Sequence, residues 1–198
     1  MPHLSGVFEQ FGDLDKVSID EIAKWVSQKN EIHFLINYLG NRILYPQAIP
    51  LTLKELEIDL AILREAIKLK PSLVYEPQTN KILIPKAFAE RFPPIVNTAK
   101  AVVEGLNPKG VHNIYIYDKG SQRLVGSVIS PLSPQKLSKD EKSVVLSGMA
   151  IRRALPLNSV TVMPTPASEV TIVLGDEEFK ASGGEVGIIV DLRMGNFG

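Results

Sequence analysis

The residues best placed to do chemistry lie near the end of the chain. Arg152 and Arg153 are the only adjacent arginines. Two guanidiniums side by side can grip a carboxylate or a phosphate through forked donors. If their segment is helical, they also stand near its C-terminus, where cations suit the helix dipole without any ligand. Asp191 closes the apolar run Val186 to Val190, with Leu192 and Arg193 behind it. A carboxylate at a strand end can serve as a base or hold a ligand. It can equally cap a turn or pair with Arg193. Arg152, Arg153, Asp191 and Arg193 are therefore the candidate ligand-binding set, and Asp191→Asn separates a site from a structural pair.

Other chemistries lack their residues. The three histidines, His3, His33 and His112, include no i, i+4 pair and no His-Glu-x-x-His. No metal is expected, and no cofactor. Neither a Walker loop nor a Gly-x-Gly-x-x-Gly is present, and Gly183-Gly184 reads as a turn between strands. No Gly-x-Ser-x-Gly elbow offers a serine nucleophile. The chain has no cysteine, which excludes disulfides and thiolate chemistry.

Composition bounds the remaining classes. The 198 residues are 44% hydrophobic and 22% charged, a globular balance. Basic and acidic residues number 22 each, and both sides of residue 95 are close to balance, so no polycationic part draws in nucleic acid. The start, Met-Pro-His-Leu-Ser-Gly, has no basic segment followed by an apolar run, and no apolar stretch reaches the ~20 residues of a membrane helix. The expected setting is cytoplasmic, with no membrane association.

The elements that would position these groups follow from periodicity and end signals. Ser18 to Glu21 is a capping box and opens a helix to about Gln28. Ile32, Leu35, Ile36 and Leu39 predict a helix over 31–39, capped by Asn30 and stopped by Gly40, with a short strand over 42–45. The alternation of Ile32, Phe34, Ile36 and Tyr38 fits a strand as well. Thr52 to Glu55 is a second capping box, before Leu53, Leu56, Leu60, Leu63 and Ile67, a helix apolar on more than one side and stopped by Pro71. A hairpin pairs 73–75 with 81–84. Pro85 starts a short helix that ends at Pro93-Pro94. Beyond it, strands are predicted over 112–118, 123–130, 160–163, 170–174, 179–181 and 186–190, with a helix over 138–154. Val144 to Leu146 could instead be a strand. The last strand is apolar on both faces and belongs inside its sheet.

The expected fold is α+β, with a helical part over 1–94 and a mostly antiparallel β part over 95–198, either a small barrel or a sheet closed by one helix. The stretch Gly183 to Asp191 resembles a glycine-led strand in the C-terminal parts of some bacterial mutase accessory proteins; it implies no activity. The leading function is a non-enzymatic protein-interaction or assembly module that associates with a protein partner or with itself. The alternatives are an enzyme or small-molecule binder using the Arg/Asp set, and a nucleic-acid binder through the front helices. The latter is disfavoured because the helix over 31–39 brings no Lys or Arg.

Overall fold

The computed structural model describes residues 7–27, 31–131, 155, 158–174 and 177–193. The chain is α+β, and it divides into two compact units: Met1–Tyr75 with Ile84–Leu106, and Glu76–Leu83 with Asn107–Gly198.

The first unit is helical. Helix α1 (Ile19–Trp25) starts at Ser18, whose hydroxyl accepts from the Glu21 amide at 3.4 Å. Helix α3 (Leu53–Leu69) starts at Thr52, which accepts from the Glu55 amide at 3.1 Å. Glu55 reaches back as a capping box requires, although its carboxylate takes the Leu51 amide rather than that of Thr52. Most of the apolar surface of α3 is covered within the unit, with Ile58, Ile62, Leu63, Ala66 and Ile67 buried, while Leu53 and Leu69 at its two ends stay exposed. Helix α4 spans Lys86–Arg91. Rings from the chain start close the core, Phe8 on Phe92 and Phe11 on Phe88, with centroids 6.0 and 5.8 Å apart.

Two elements depart from expectation. Helix α2 runs unbroken from Ile32 to Leu44, through Gly40, and there is no strand over 42–45. Gly40 ends a helix only by adopting a left-handed backbone, and here it stays helical because Leu39 and Arg42 continue the buried stripe. Helix α5 (Ile95–Leu106) was not anticipated. Pro93-Pro94 ends α4, but it also sits just before α5, where prolines are tolerated. Thr98, Ala99, Val102 and Val103 are buried on its inner side, and α5 belongs to the helical unit, beyond residue 94.

The sheet holds six strands in the order β1-β2-β3-β4-β6-β5. These are β1 (Tyr75–Glu76), β2 (Lys81–Pro85), β3 (Gly110–Asp118), β4 (Ser121–Ser130), β5 (Val160–Leu174) and β6 (Glu177–Asp191). Lys119 and Gly120, both at positive φ, make the tight β3–β4 turn. Strand β6 lies between β4 and β5, parallel to the first and antiparallel to the second, an inner position as its two apolar faces predict.

Strands β5 and β6 are each 15 residues long, where shorter strands separated by turns were expected. Gly183-Gly184 is therefore not a turn. A Cβ on Gly183 would lie 2.1 Å from the Pro166 carbonyl, and one on Gly184 2.6 Å from that of Val125. The pair lets three backbones cross at a bulged stretch of the β5–β6 ladder, where a side chain would wedge them apart. Ile129, Leu155, Met163, Ile172, Ile188, Val190 and Leu192 form the core here. The predicted helix over 138–154 lies outside the described residues. No helix among the described residues is long and apolar enough to cross a membrane.

Candidate functional site

Helix α2 is amphipathic in an inverted sense. Between Ile32 and Leu44 its single Asp, Glu, Lys or Arg is Arg42, and that residue points inward. Leu35, Tyr38, Leu39 and Arg42, spaced three and four apart, form the buried stripe. The outer side carries Ile32, Phe34, Ile36, Ile43 and Leu44, with His33, Asn37 and Asn41 between them. Leu44 is 71% exposed, and the apolar exposure continues past the helix through Tyr45, Ile49, Leu51 and Leu53.

A buried polar cluster fixes that orientation. Asp59, on α3, is fully buried. Its Oδ1 accepts from Arg42 Nε at 2.8 Å and from the Tyr38 hydroxyl at 3.0 Å. Its Oδ2 lies 3.4 Å from Arg91 Nη2 on α4. Arg42 Nη2 also donates to the Tyr38 oxygen at 2.5 Å. Arg91 binds the carbonyls of Pro46 (3.2 Å) and Ala48, and stacks on the rings of Phe8 and Phe92. One carboxylate thus faces two guanidiniums. Burial pushes the Asp59 carboxyl above its usual range, while the hydrogen bond and charge of Arg42, then the charge of Arg91, pull against that rise. Burial of Tyr38, reinforced by the Asp59 charge, pushes its phenol up as well. The cluster ties α2, α3, α4 and the connection after α2 together, which turns the uncharged side of α2 outward.

Two apolar clefts lie beside this surface. One, of about 480 Å³, is lined by Ile49, Leu51, Leu53 and Leu56, with Glu90 and Arg91 at its wall. The other, of about 430 Å³, lies among Val26, Phe34, Leu35 and Ile58, with Glu31, Lys54 and Glu57 at its edge. Leu53 lines both. Glu31 pairs with Lys54 at 2.5 Å, and Glu57 takes the Ser27 amide and hydroxyl at 3.1 and 2.5 Å, so these charges are engaged locally.

Of the residues singled out from sequence, Asp191 and Arg193 come together. The carboxylate is fully buried at the end of β6. It accepts from the Arg193 amide (3.0 Å) and Nε (2.9 Å) on one oxygen, and from Nη2 (2.6 Å) on the other. Lys109 Nζ reaches the Arg193 carbonyl at 3.4 Å, and Leu192 exchanges backbone bonds with Asn158 and Ser159. Both carboxylate oxygens accept from Arg193 at the strand end. Arg152 and Arg153 lie outside the described residues. Among the described residues no group of three His, Cys, Asp or Glu side chains could hold a metal.

The α2 surface is not among the residues expected to bind. Its signal was available: from Ile32 to Tyr45 there is one formal charge among fourteen residues. The Asp59 cluster left no such trace, because its members stand 17 and 32 residues apart in sequence. The chain has no match among protein-family models, curated proteins or solved structures.

Proposed function

We propose that this chain is a protein-interaction module that docks through the outer side of α2 and the apolar stretch behind it, from Ile43 to Leu53. The observation that carries the reading is the inversion of α2. Its one charged side chain is buried on Asp59, while Ile32, Ile36, Ile43 and Leu44 face water. Leaving apolar groups exposed forfeits about 25 cal/mol per Å² of burial. Contiguous exposed apolar surface of this kind marks an interaction site far more often than scattered leucines do. The uncharged outer side also speaks against nucleic acid, which needs Lys or Arg at its phosphates. In the Asp191–Arg193 pair both carboxylate oxygens already accept from Arg193, which favours the docking reading over a ligand site at that strand end.

The test compares the wild-type chain with Ile36→Glu/Leu44→Glu, each immobilised and exposed to lysate of the native cell and to a tagged copy of the chain. Both side chains are exposed, so the variant keeps its fold, which a thermal melt verifies. A protein captured by the wild type alone, identified and then bound again as a purified component, supports the reading. Identical capture by both overturns it.

A further inference from the structure

Helix α2 holds a glycine whose missing side chain none of the described residues fills. Gly40 sits within the 13-residue helix with an ordinary helical backbone, and a Cβ built there meets nothing within 4 Å. Glycine inside a helix weakens it relative to alanine. Among the described residues neither a turn nor a close neighbour requires the small residue. Close approach of a second backbone would require it. Ile32, Ile36, Gly40 and Leu44 follow at intervals of four, forming one ridge on the outer side of the helix with a notch in it.

Resting on the docking surface proposed above, we infer that its occupant is α2 of a second copy of this chain, packed antiparallel and crossing at Gly40. The charge pattern suits a second copy. A two-fold interface sets each surface against itself, so any net charge on it repels its own image. The outer side of α2 carries no Asp, Glu, Lys or Arg, and the whole chain has a formal charge of zero. When ridges of this spacing interdigitate, the axes cross at about 50° and approach to about 8 Å, the near end of the usual range, which a glycine at the crossing allows. In the antiparallel arrangement Ile36 meets Leu44 of the second copy, and Leu44 meets its Ile36. The two Ile36 residues then lie eight positions apart along the helices, about 12 Å at 1.5 Å per residue. One helix with a short apolar extension is a small interface, so association belongs in the micromolar range.

Because the chain has no cysteine, an introduced thiol is the only one present. Ile36→Cys and Leu44→Cys are prepared separately, both at exposed sites. A disulfide needs Cα atoms within about 7 Å. Under mild oxidation, a mixture of the two variants should link about tenfold faster than either alone, and light scattering on the wild type should show a dimer rising with concentration. Ile36→Cys linking fastest by itself would mean a parallel pair and overturn the inference. Equal linking rates in all three samples would also overturn it. If the wild type nevertheless dimerises, and Ile36→Glu/Leu44→Glu does not, the docking surface stands without this geometry. A wild type that stays monomeric up to about 300 µM overturns the copy as occupant, while a foreign protein captured through the same residues would keep the surface.

Discussion

Removing the charge of Asp59 is the perturbation with the largest expected effect. Asp59→Asn keeps the side-chain shape but leaves Arg42 and Arg91 without their carboxylate. The amide also brings two N–H donors where the carboxylate only accepted, and it faces Arg42 Nε, Arg91 Nη2 and the Tyr38 hydroxyl. Arg42 and Arg91 are 6% and 7% exposed, so water does not take over the lost charge. Breaking a buried ion pair on one side costs about 3–5 kcal/mol, against a total of about 5–15 kcal/mol for a domain. For a unit of this size each kcal/mol moves the melting midpoint by about 4–8 °C, so a fall of at least about 12 °C is expected for the helical unit. Urea melts followed by far-UV circular dichroism and calorimetry measure it. Arg42→Met placed on top of Asp59→Asn should return part of the loss, because removing a stranded guanidinium outweighs the hydrogen bond and ring contact to Tyr38 that go with it. A loss below about 1 kcal/mol, or a double variant weaker than the single, would refute the idea that one carboxylate neutralises this cluster.

The other expectations concern the β unit. Gly187, at φ 80° and with a built Cβ only 2.3 Å from the Met163 carbonyl, should not tolerate alanine; Gly187→Ala should cost well over the ~1 kcal/mol typical of a left-handed site, read from a urea melt. Stopping the chain after Gly184 removes Val186, Ile188, Ile189, Val190 and Leu192, all buried, at about 1.5–3 kcal/mol each. That sum exceeds what a unit holds in reserve, so the sheet's dichroism signal should vanish, and a cooperative sheet melt in the truncated chain would contradict the inner placement of β6. Burial pushes the His112 imidazole below its ordinary value. The unfolded chain then takes up a proton near pH 6.5 before the folded one does, so stability falls as pH drops below about 6.5 and levels off once the folded imidazole is also charged. His112→Gln should flatten that acid-side slope in melts between about pH 7.5 and about pH 5, and an unchanged slope would count against this origin.

Local signals carried the fold class and most elements. The capping boxes at Ser18 and Thr52 were legible because a hydroxyl bonding an amide three residues on is a sequence-local event. The inner position of β6 was legible because alternate residues on both of its faces are apolar. Gly40 and Gly183-Gly184 were misread for one physical reason. A glycine in sequence announces backbone freedom, yet in both places the chain uses, or leaves open, the missing side chain instead. Helix α5 was hidden because prolines that stop one helix can stand before the next. The site was less legible than the fold. Asp191 and Arg193 stand two residues apart in sequence and could be read together, whereas Arg42, Asp59 and Arg91 meet only after three helices have packed.

That difference bears on what the Asp59 cluster is for. Two guanidiniums and a phenol around one carboxylate are a poor source of stability, since desolvating them offsets most of their attraction and an apolar core of the same volume would do as well. Their effect is directional. An α2 with leucines at Tyr38 and Arg42 would keep only His33, Asn37 and Asn41 as polar groups, a weaker guide to which side packs on α3. With Arg42 and Tyr38 in place, only one rotation of the helix about its axis satisfies the donors, because every other rotation leaves the buried Asp59 with Arg91 as its remaining partner at 3.4 Å. The polar groups therefore select the rotation, and the apolar residues left over are held outward. Charging the inner side and clearing the outer one are then two parts of one arrangement: the cluster keeps Ile32, Ile36 and Leu44 from collapsing into their own core and leaves them free for another surface.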